Sequence, residues 1–427
     1  MLTSCDESTA QEAPAKPAEP AQPAKEKSLD KVQSGTAEWL KLNLADRQAV
    51  QTREARKIIE TWRGEKPATA ERTLKIVYWS PKDRQPQPKH KERLNEILLD
   101  IQKYYAKEMK RNGFGALSLK FDKAKDGKIK IYESKGKKDY SAYQVQSGNE
   151  IRKDVYQDLS KQGIVGSQET VVIFCNMSNW DPKRKIITQN SPYYAAGNSR
   201  SGTAWQVDSA ILNLKDLTNM KDRVRDGQYG NITRGKYNTI FIGGIAHELG
   251  HALGLPHNMQ RPEEAKELGI ALMGSGNRAY GNELRKDGRP AFITLTHALK
   301  LATHPMFSGV VKDWQKKPKY KVEGVNFDAK GKQVKIQGKI TADTPCYAVL
   351  AYLDPEGGGD YNATTHVGIP NADGSFTIHC DAFAKRKKGT LKLVYCFANG
   401  FTSAAHYSPR RGQNYSVDRE GNVTLEK

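Results

Sequence analysis

From Thr73 onward, segments in which hydrophobic residues have the spacing of a strand are interspersed with segments in which they have the spacing of a helix. This pattern predicts an α/β arrangement for the middle of the chain. Residues 74–79 are typical of a strand, and residues 90–112 have the spacing of a long amphipathic helix. Two strands, a helix and a buried strand are predicted next, at residues 117–122, 128–133, 149–160 and 170–175. Residues 203–212 predict one more strand, and residues 294–303 predict a helix that closes this part.

A second helical pattern, at residues 239–257, separates apolar and polar residues onto opposite faces. The apolar face consists of Phe241, Ile242, Ile245, Leu249, Ala252 and Leu253. His247 and His251 lie four residues apart on the other face, beside Gly243 and Gly244. Because glycine inside a helix costs about 1 kcal/mol relative to alanine, these glycines indicate that something approaches the histidine face closely.

The end of this helix carries residues suited to a metal site. Gly254 can end the helix in a left-handed conformation, and Pro256 restricts the backbone after it. His257 can therefore return toward the two helical histidines, His247 and His251. Three neutral imidazoles with an open fourth position are the arrangement of a catalytic zinc site. Glu248 lies about 100° around the helix from His247, where it can contact a water on the metal rather than the metal itself.

The pattern H-E-x-x-H-x-x-G-x-x-H at residues 247–257 resembles the metzincin clan of zinc metallopeptidases. That clan also has a methionine in a tight turn below the metal, and Met273 within residues 271–276 is the candidate. The resemblance covers residues 70–310 in outline, but only these two segments carry specific residues. Subfamilies are usually distinguished by the residue after the third histidine, which is Asn258 here, so no subfamily is assigned.

The resemblance implies a zinc-dependent endopeptidase that hydrolyses peptide bonds by a zinc-activated water. It implies that His247, His251 and His257 bind Zn²⁺ and that Glu248 is the general base. It further implies that Gly254 forms the turn that ends the helix and that Met273 is the methionine of the Met-turn. Some subfamilies have a tyrosine two residues after the methionine; Tyr280, seven residues on, is a weak substitute. Residues 203–212 are interpreted either as the edge strand that pairs with an extended substrate or as an ordinary sheet strand.

The C-terminal region has a different pattern from about residue 319 onward. Short alternating runs occur at residues 320–327, 333–341, 347–353, 375–380 and 390–397. Turn-forming clusters at residues 356–360 and 371–374 separate some of them, which predicts an antiparallel β-sandwich. A spacer or packing role is favoured over glycan binding, because no exposed aromatic platform can be identified.

The N-terminal residues resemble the end of a bacterial lipoprotein signal, in which Cys5 would be lipidated, although the preceding basic and apolar segments are missing. A coincidental cysteine is the alternative. Residues 10–27 are rich in Ala, Pro, Lys, Glu and Gln, a composition typical of an extended spacer. Residues 28–63 have helical spacing and are interpreted as packing on the catalytic domain rather than as a pro-segment.

Together the patterns predict an α+β fold: a metzincin-like catalytic domain with a twisted mixed sheet and long helices, followed by an all-β sandwich. The predicted parts are a lipobox-like start and linker, a helical segment, a zinc metallopeptidase domain and an Ig-like sandwich, at residues 1–27, 28–69, 70–312 and 319–427.

Composition narrows the possible partners. The net charge is +20, but the basic residues are spread along the chain without interleaved aromatic residues, so no nucleic-acid binding is expected. No apolar run approaches the length of about 20 residues that a membrane span needs, so only an N-terminal lipid anchor would hold the protein to a membrane. Cys346, Cys380 and Cys396 could supply one disulfide in an exported protein, with no connectivity implied.

The expected protein is therefore an exported monomer, either a membrane-anchored lipoprotein or extracellular or periplasmic, with a protein or peptide substrate. The alternative is a surface-tethered binding protein that recognises its ligand through the C-terminal sandwich and carries a vestigial metal site.

Overall fold

The computed structural model of the protein describes residues 29–403 and 412–426 and has a mixed α+β architecture. The helices are α1 Ala37–Leu40, α2 Leu44–Arg63, α3 His90–Arg111, α4 Gly148–Ser160, α5 Arg234–Ala252, α6 Pro262–Glu267, α7 Asn282–Arg285, α8 Leu295–Thr303 and α9 Pro305–Ser308. The first strands are β1 Lys75–Ser80, β2 Ile131–Lys135, β3 Thr170–Cys175, β4 Ser178–Asp181, β5 Ile186–Gln189, β6 Tyr194–Gly197, β7 Gly202–Val207, β8 Arg223–Asp226 and β9 Gly230–Thr233. The remaining strands are β10 Ile270–Ala271, β11 Ala291–Phe292, β12 Tyr320–Lys330, β13 Gln333–Ala342, β14 Cys346–Pro355, β15 Thr364–Gly368, β16 Ser375–Cys380, β17 Lys388–Phe397, β18 Gln413–Val417 and β19 Val423–Leu425.

A five-stranded sheet of order β2-β1-β3-β7-β6 forms the centre of the chain, with β6 antiparallel to β7 and the other pairs parallel. Alternate residues of β1 and β3 face opposite sides, so both faces are buried. Tyr78 and Phe174 pack in one cluster with α3 and α5. Val77 and Ile173 pack in another cluster with α4. The helix that carries His247 and His251 therefore lies directly on the sheet.

The structure corrects the first interpretation of residues 203–212. Strand β7 covers residues 202–207 and pairs with neighbours on both sides, so it is an interior strand. The edge on this side of the sheet is β6, which the hydrophobic pattern did not predict. Residues 117–122 also form no regular strand: Phe121 makes only an isolated bridge with Leu74.

The C-terminal region forms two antiparallel sheets, of orders β12-β13-β16 and β15-β14-β17-β18-β19. Val349 and Leu353 of β14 pack between these sheets with Ile378 of β16. Leu350 and Tyr352, on the other face of β14, pack in the same cluster as α5 and α8. Both faces of the larger sheet are thus buried, and the C-terminal region shares a continuous core with the part that precedes it.

Helix α2 joins these two parts of the molecule. Gln51 donates a hydrogen bond from Nε2 to the Val367 carbonyl oxygen at 2.7 Å, and Arg63 donates one to the Ala302 carbonyl oxygen at 2.9 Å. Its buried face includes Ile59. These are the contacts of a packed structural element, as the packing interpretation of residues 28–63 expects.

Two further sequence predictions concern the membrane and the cysteines. None of the helices in the described ranges is long and apolar enough to cross a bilayer. Cys175, Cys346, Cys380 and Cys396 are buried free thiols. The predicted lipidation site Cys5 and the linker to residue 27 lie outside the described residues, so the anchor stays a prediction.

Candidate metal centre

Helix α5 begins and ends with defined caps that set the position of its histidines. Thr233 accepts a hydrogen bond from the Lys236 N–H at the start. At the other end the Leu255 N–H donates to the Gly250 carbonyl oxygen at 2.9 Å. Gly254 has φ of 82°, a left-handed conformation that favours glycine. This reversal turns the chain back along the helix and brings the segment that follows toward the histidine face.

The three predicted histidines meet at one point. Nε2 of His251 lies 3.2 Å from Nε2 of His247 and 2.9 Å from Nε2 of His257. One ring nitrogen from each histidine falls within 4.8 Å of the others. A tetrahedral zinc ion with bonds of about 2.0–2.1 Å separates its nitrogen ligands by roughly 3.3 Å, and the two Nε2 distances from His251 are close to that value.

The other ring nitrogens fix the orientation of each imidazole. Nδ1 of His247 lies 2.7 Å from the Leu272 carbonyl oxygen, and Nδ1 of His251 lies 2.8 Å from the Leu255 carbonyl oxygen. Nδ1 of His257 lies 2.7 Å from Oδ1 of Asp360. Since each of these partners accepts a hydrogen bond, each Nδ1 carries the proton and each Nε2 keeps its lone pair for a cation.

Burial keeps two of these rings in the form that binds a metal. It lowers the pKa of His247 to about 3 and that of His251 to about 4, because the charged imidazolium is poorly solvated there. Repulsion between positive charges on neighbouring histidines contributes to both lowered pKa values, after the larger effect of burial. Both rings are therefore neutral at neutral pH and do not need to lose a proton before coordination.

Glu248 follows His247 directly on α5 and is partly buried. Burial raises the pKa of its carboxyl group to about 7. The Tyr193 hydroxyl lies against Gly244, one helical turn before Glu248, and no hydrogen-bond partner for it occurs among the described residues. A carboxyl group with this pKa can both accept and release a proton near neutral pH.

The glycines beside the histidines on α5 are needed because other parts of the chain, rather than a ligand, pack closely against them. A side chain at Gly243 would clash with the Asn277 carbonyl group, and one at Gly244 would clash with the Tyr193 hydroxyl. The expectation that something approaches the helix closely is therefore met by packing within the chain.

Met273 lies in a tight turn under the helix. It is 1% exposed, and its sulfur packs against Gly250, where a side chain would have no space. The Gly274 N–H donates to the Ala271 carbonyl oxygen at 3.0 Å, which closes the turn. The same turn presents the Leu272 carbonyl oxygen to His247, so it contributes to the orientation of a predicted ligand.

The two departures from the metzincin pattern have structural explanations. Asn258 is fully buried and donates hydrogen bonds to Thr294 Oγ1 at 2.9 Å and Thr365 Oγ1 at 3.3 Å, so it connects the third-histidine segment to two other elements. Tyr280 donates its hydroxyl hydrogen to Oδ2 of Asp100 at 2.7 Å.

Sequence reasoning missed two residues beside the histidines, Asp360 and Tyr361. Residues 356–360 were interpreted only as a turn between strands of the sandwich. Nothing local links them to His257, which is 103 positions earlier in the chain. The available signal was an acidic and an aromatic residue directly after three glycines, a composition that also suits an ordinary turn.

Comparison with known proteins finds similar chains among solved structures. No protein-family model matches the chain, and no curated protein matches it. Catalytically inactive OgpA from Akkermansia muciniphila, crystallised with the O-glycopeptide substrate glycodrosocin, is 25% identical with a TM-score of 0.67, over 82% of this chain and 96% of that one. Wild-type OgpA in the crystal form P 41 21 2 is 24% identical with a TM-score of 0.68, over 84% of this chain and 97% of that one. The chain therefore shares the OgpA fold over 82–84% of its length.

Proposed function

We propose that this protein is a zinc-dependent endopeptidase that cleaves glycosylated peptides. The observation that carries the proposal is the convergence of three Nε2 atoms, from His247, His251 and His257, at zinc-like spacing. The similarity to OgpA, whose crystallised substrate is an O-glycopeptide, supports the substrate class.

Each residue of the site has a proposed task. The three histidines would hold Zn²⁺, which supplies Lewis-acid activation of a water molecule and of the scissile carbonyl. Glu248 would take the proton of the attacking water and deliver it to the leaving amine. Its raised pKa of about 7 suits both transfers, because the group is poised near the operating pH.

Met273 and Gly254 would act through the ligands rather than on the substrate. The methionine would form the floor below the metal, where its sulfur already packs against the helix at Gly250. The glycine would provide the reversal that returns His257 to the site. The edge strand β6, rather than β7, would pair with an extended peptide.

Cleavage of matched peptides tests this proposal. The purified protein would be incubated with one peptide in two forms, with and without an O-linked glycan, before and after removal of metal by a chelator. We expect chelator-sensitive cleavage of the glycosylated form, restored by added Zn²⁺. Absence of cleavage by zinc-loaded protein would favour the alternative, a surface binding protein with a vestigial site.

Export and a lipid anchor at Cys5 remain part of the proposal. The expected monomer is likewise a prediction. Mass spectrometry of the protein from its native membrane would detect lipidation at Cys5, and unmodified Cys5 would remove the anchor from the account.

A further inference from the structure

A loop of the C-terminal region reaches the histidine cluster. Residues 357–362 follow β14 and include a short 3₁₀ helix, Gly359–Asn362. Oδ1 of Asp360 accepts a hydrogen bond from Nδ1 of His257 at 2.7 Å. Both side chains are mostly shielded, with exposed fractions of 15% for His257 and 23% for Asp360. His257 is thus the member of the three whose Nδ1 partner is a carboxylate, since the other two partners are backbone carbonyls.

A carboxylate has a larger effect on a histidine than a carbonyl oxygen does. It fixes the tautomer and the ring orientation, and it raises the basicity of the nitrogen that faces the metal. His257 needs such support, because it follows the helix and lies in a segment without regular secondary structure. His247 and His251, in contrast, are held by the backbone of α5.

Tyr361 adds a second contact from the same loop. Its ring stacks on the His257 ring with a centroid distance of 3.6 Å and an interplanar angle of 28°. Tyr361 is 51% exposed, which is a high fraction for a large aromatic residue. The Tyr361 ring therefore covers one face of the His257 ring, while about half of the Tyr361 surface remains exposed to solvent.

The loop has the backbone needed to hold this position. Gly357, Gly358 and Gly359 all have positive φ, of 88°, 80° and 61°, which produces a sharp bend that side chains would disfavour. Directly after the loop, the Ala363 carbonyl oxygen accepts a hydrogen bond from the Met259 N–H at 2.8 Å. The segment that carries the third histidine therefore contacts the loop or its end on both sides of Asn258, through His257 and through Met259.

We infer that residues 357–362 are part of the metal centre, with Asp360 as a positioning residue for His257 and Tyr361 as a wall over its ring. The C-terminal region is then a component of the catalytic unit rather than a spacer. The inference rests on the metal site of the proposed function, but it concerns metal binding and can be tested without any substrate.

Zinc affinity in the full chain, measured by competition with a chromophoric chelator, tests the inference. Asp360→Ala should weaken zinc binding by about 10–100-fold, the usual effect of losing such a partner. Asp360→Asn keeps an acceptor oxygen without the charge and should lose less. Glu356→Gln is the matched control, since Glu356 is an exposed acid of the same loop region, and it should bind zinc like the wild type.

Tyrosine variants test the second contact. Tyr361→Phe keeps the stacked ring and should preserve zinc affinity, whereas Tyr361→Ala should weaken it. Cobalt substitution provides a further readout, because a reoriented His257 would alter the visible absorption of bound Co²⁺ in Asp360→Ala. A variant that merely loosened the sandwich would lower the melting temperature without that spectral change.

Wild-type zinc affinity and an unchanged cobalt spectrum in folded Asp360→Ala would overturn the inference. Should Asp360→Ala fail to fold, Asp360→Asn decides, since it must still lose affinity relative to Glu356→Gln. Failure of the proposed function would look different: wild-type protein would bind zinc tightly, respond to Asp360→Ala as expected, and cleave no peptide.

Discussion

Nε2 of His257 lies 2.9 Å from Nε2 of His251, although a helix end and a chain reversal separate the two residues. Two imidazole lone pairs at this distance repel each other unless a cation or a proton lies between them. The short distance between the two Nε2 atoms thus favours a site that holds a cation. His257, which completes the set of three histidines, comes from outside the helix.

Removal of the third ligand should reduce metal content. His257→Ala leaves two histidines on α5, which is one ligand fewer than a catalytic zinc site uses. We expect substoichiometric zinc after dialysis, measured by elemental analysis of purified protein. His379→Gln, remote from the cluster, is the control and should retain one equivalent. Full occupancy in His257→Ala would contradict the three-histidine site.

Replacement of Glu248 should separate chemistry from metal binding. Glu248→Gln removes the proton acceptor and keeps the size of the side chain, so we expect normal zinc content. The cleavage rate should fall by about 10²–10⁴-fold, the usual contribution of a general base. Glu283→Gln, a change of an exposed acid, should leave the rate unchanged. Wild-type turnover by Glu248→Gln would exclude the assigned role.

Gly254 and Gly163 form a matched pair of helix-terminating glycines. Their φ angles are 82° and 77°, and each N–H donates to the carbonyl oxygen three residues earlier. Alanine at either position should reduce the free energy of unfolding by about 1–2 kcal/mol through left-handed strain. Only Gly254→Ala should also weaken zinc binding, because its Cβ would lie 2.9 Å from Asn198 Cα and displace the segment that carries His257. Equal zinc affinity in both variants would refute this link.

A buried ion pair should dominate the stability of the central sheet. Asp208 is fully buried and accepts hydrogen bonds from Arg93 at 3.0 Å through both carboxylate oxygens. Asp208→Ala would leave the Arg93 charge uncompensated, which costs about 3–5 kcal/mol. Chemical denaturation would measure it. Glu60→Ala removes an exposed partner of Arg56 and should change stability by at most about 0.5 kcal/mol.

Acid should destabilise the metal-free protein. Burial lowers the pKa of His247 to about 3 and the values of His251 and His304 to about 4, from 6.5 in the unfolded chain. Below pH 6.5 the unfolded chain therefore binds protons that the folded state excludes, and the free energy of unfolding falls as pH decreases toward 4. Glu248 acts in the opposite direction between pH 4.5 and about 7, but it is one group against four, because burial also lowers the pKa of His366.

Denaturation midpoints of the metal-free protein between pH 8 and 5 would check this dependence. Glu248→Gln should steepen the decline, because it removes the opposing group. A midpoint that stayed constant below pH 6.5 would show that the buried histidines do not control acid stability.

Local periodicity accounts for the elements that could be predicted from the sequence. The helices at residues 90–112, 149–160 and 294–303 and the strand at residues 170–175 correspond closely to α3, α4, α8 and β3. Each has a long amphipathic or wholly apolar pattern, which depends only on neighbouring residues. Strands β4, β5, β6, β8 and β9 were not predicted, because four-residue segments with exposed positions take their conformation from distant pairing partners.

The residues of the candidate site also fall into those that local spacing predicts and those that only the tertiary structure brings together. The sequence alone predicted the three histidines, because the spacing of His247 and His251 places them on one helical face and the glycine that ends the helix lets His257 return to them. It also predicted Glu248 beside that face. Only the tertiary structure could add Asp360 and Tyr361, since the contact of Asp360 with His257 spans 103 positions and both contacts depend on how the sandwich packs against α8. Helical spacing is a local property of the backbone, whereas contacts between distant residues arise only when a shared hydrophobic core brings them together.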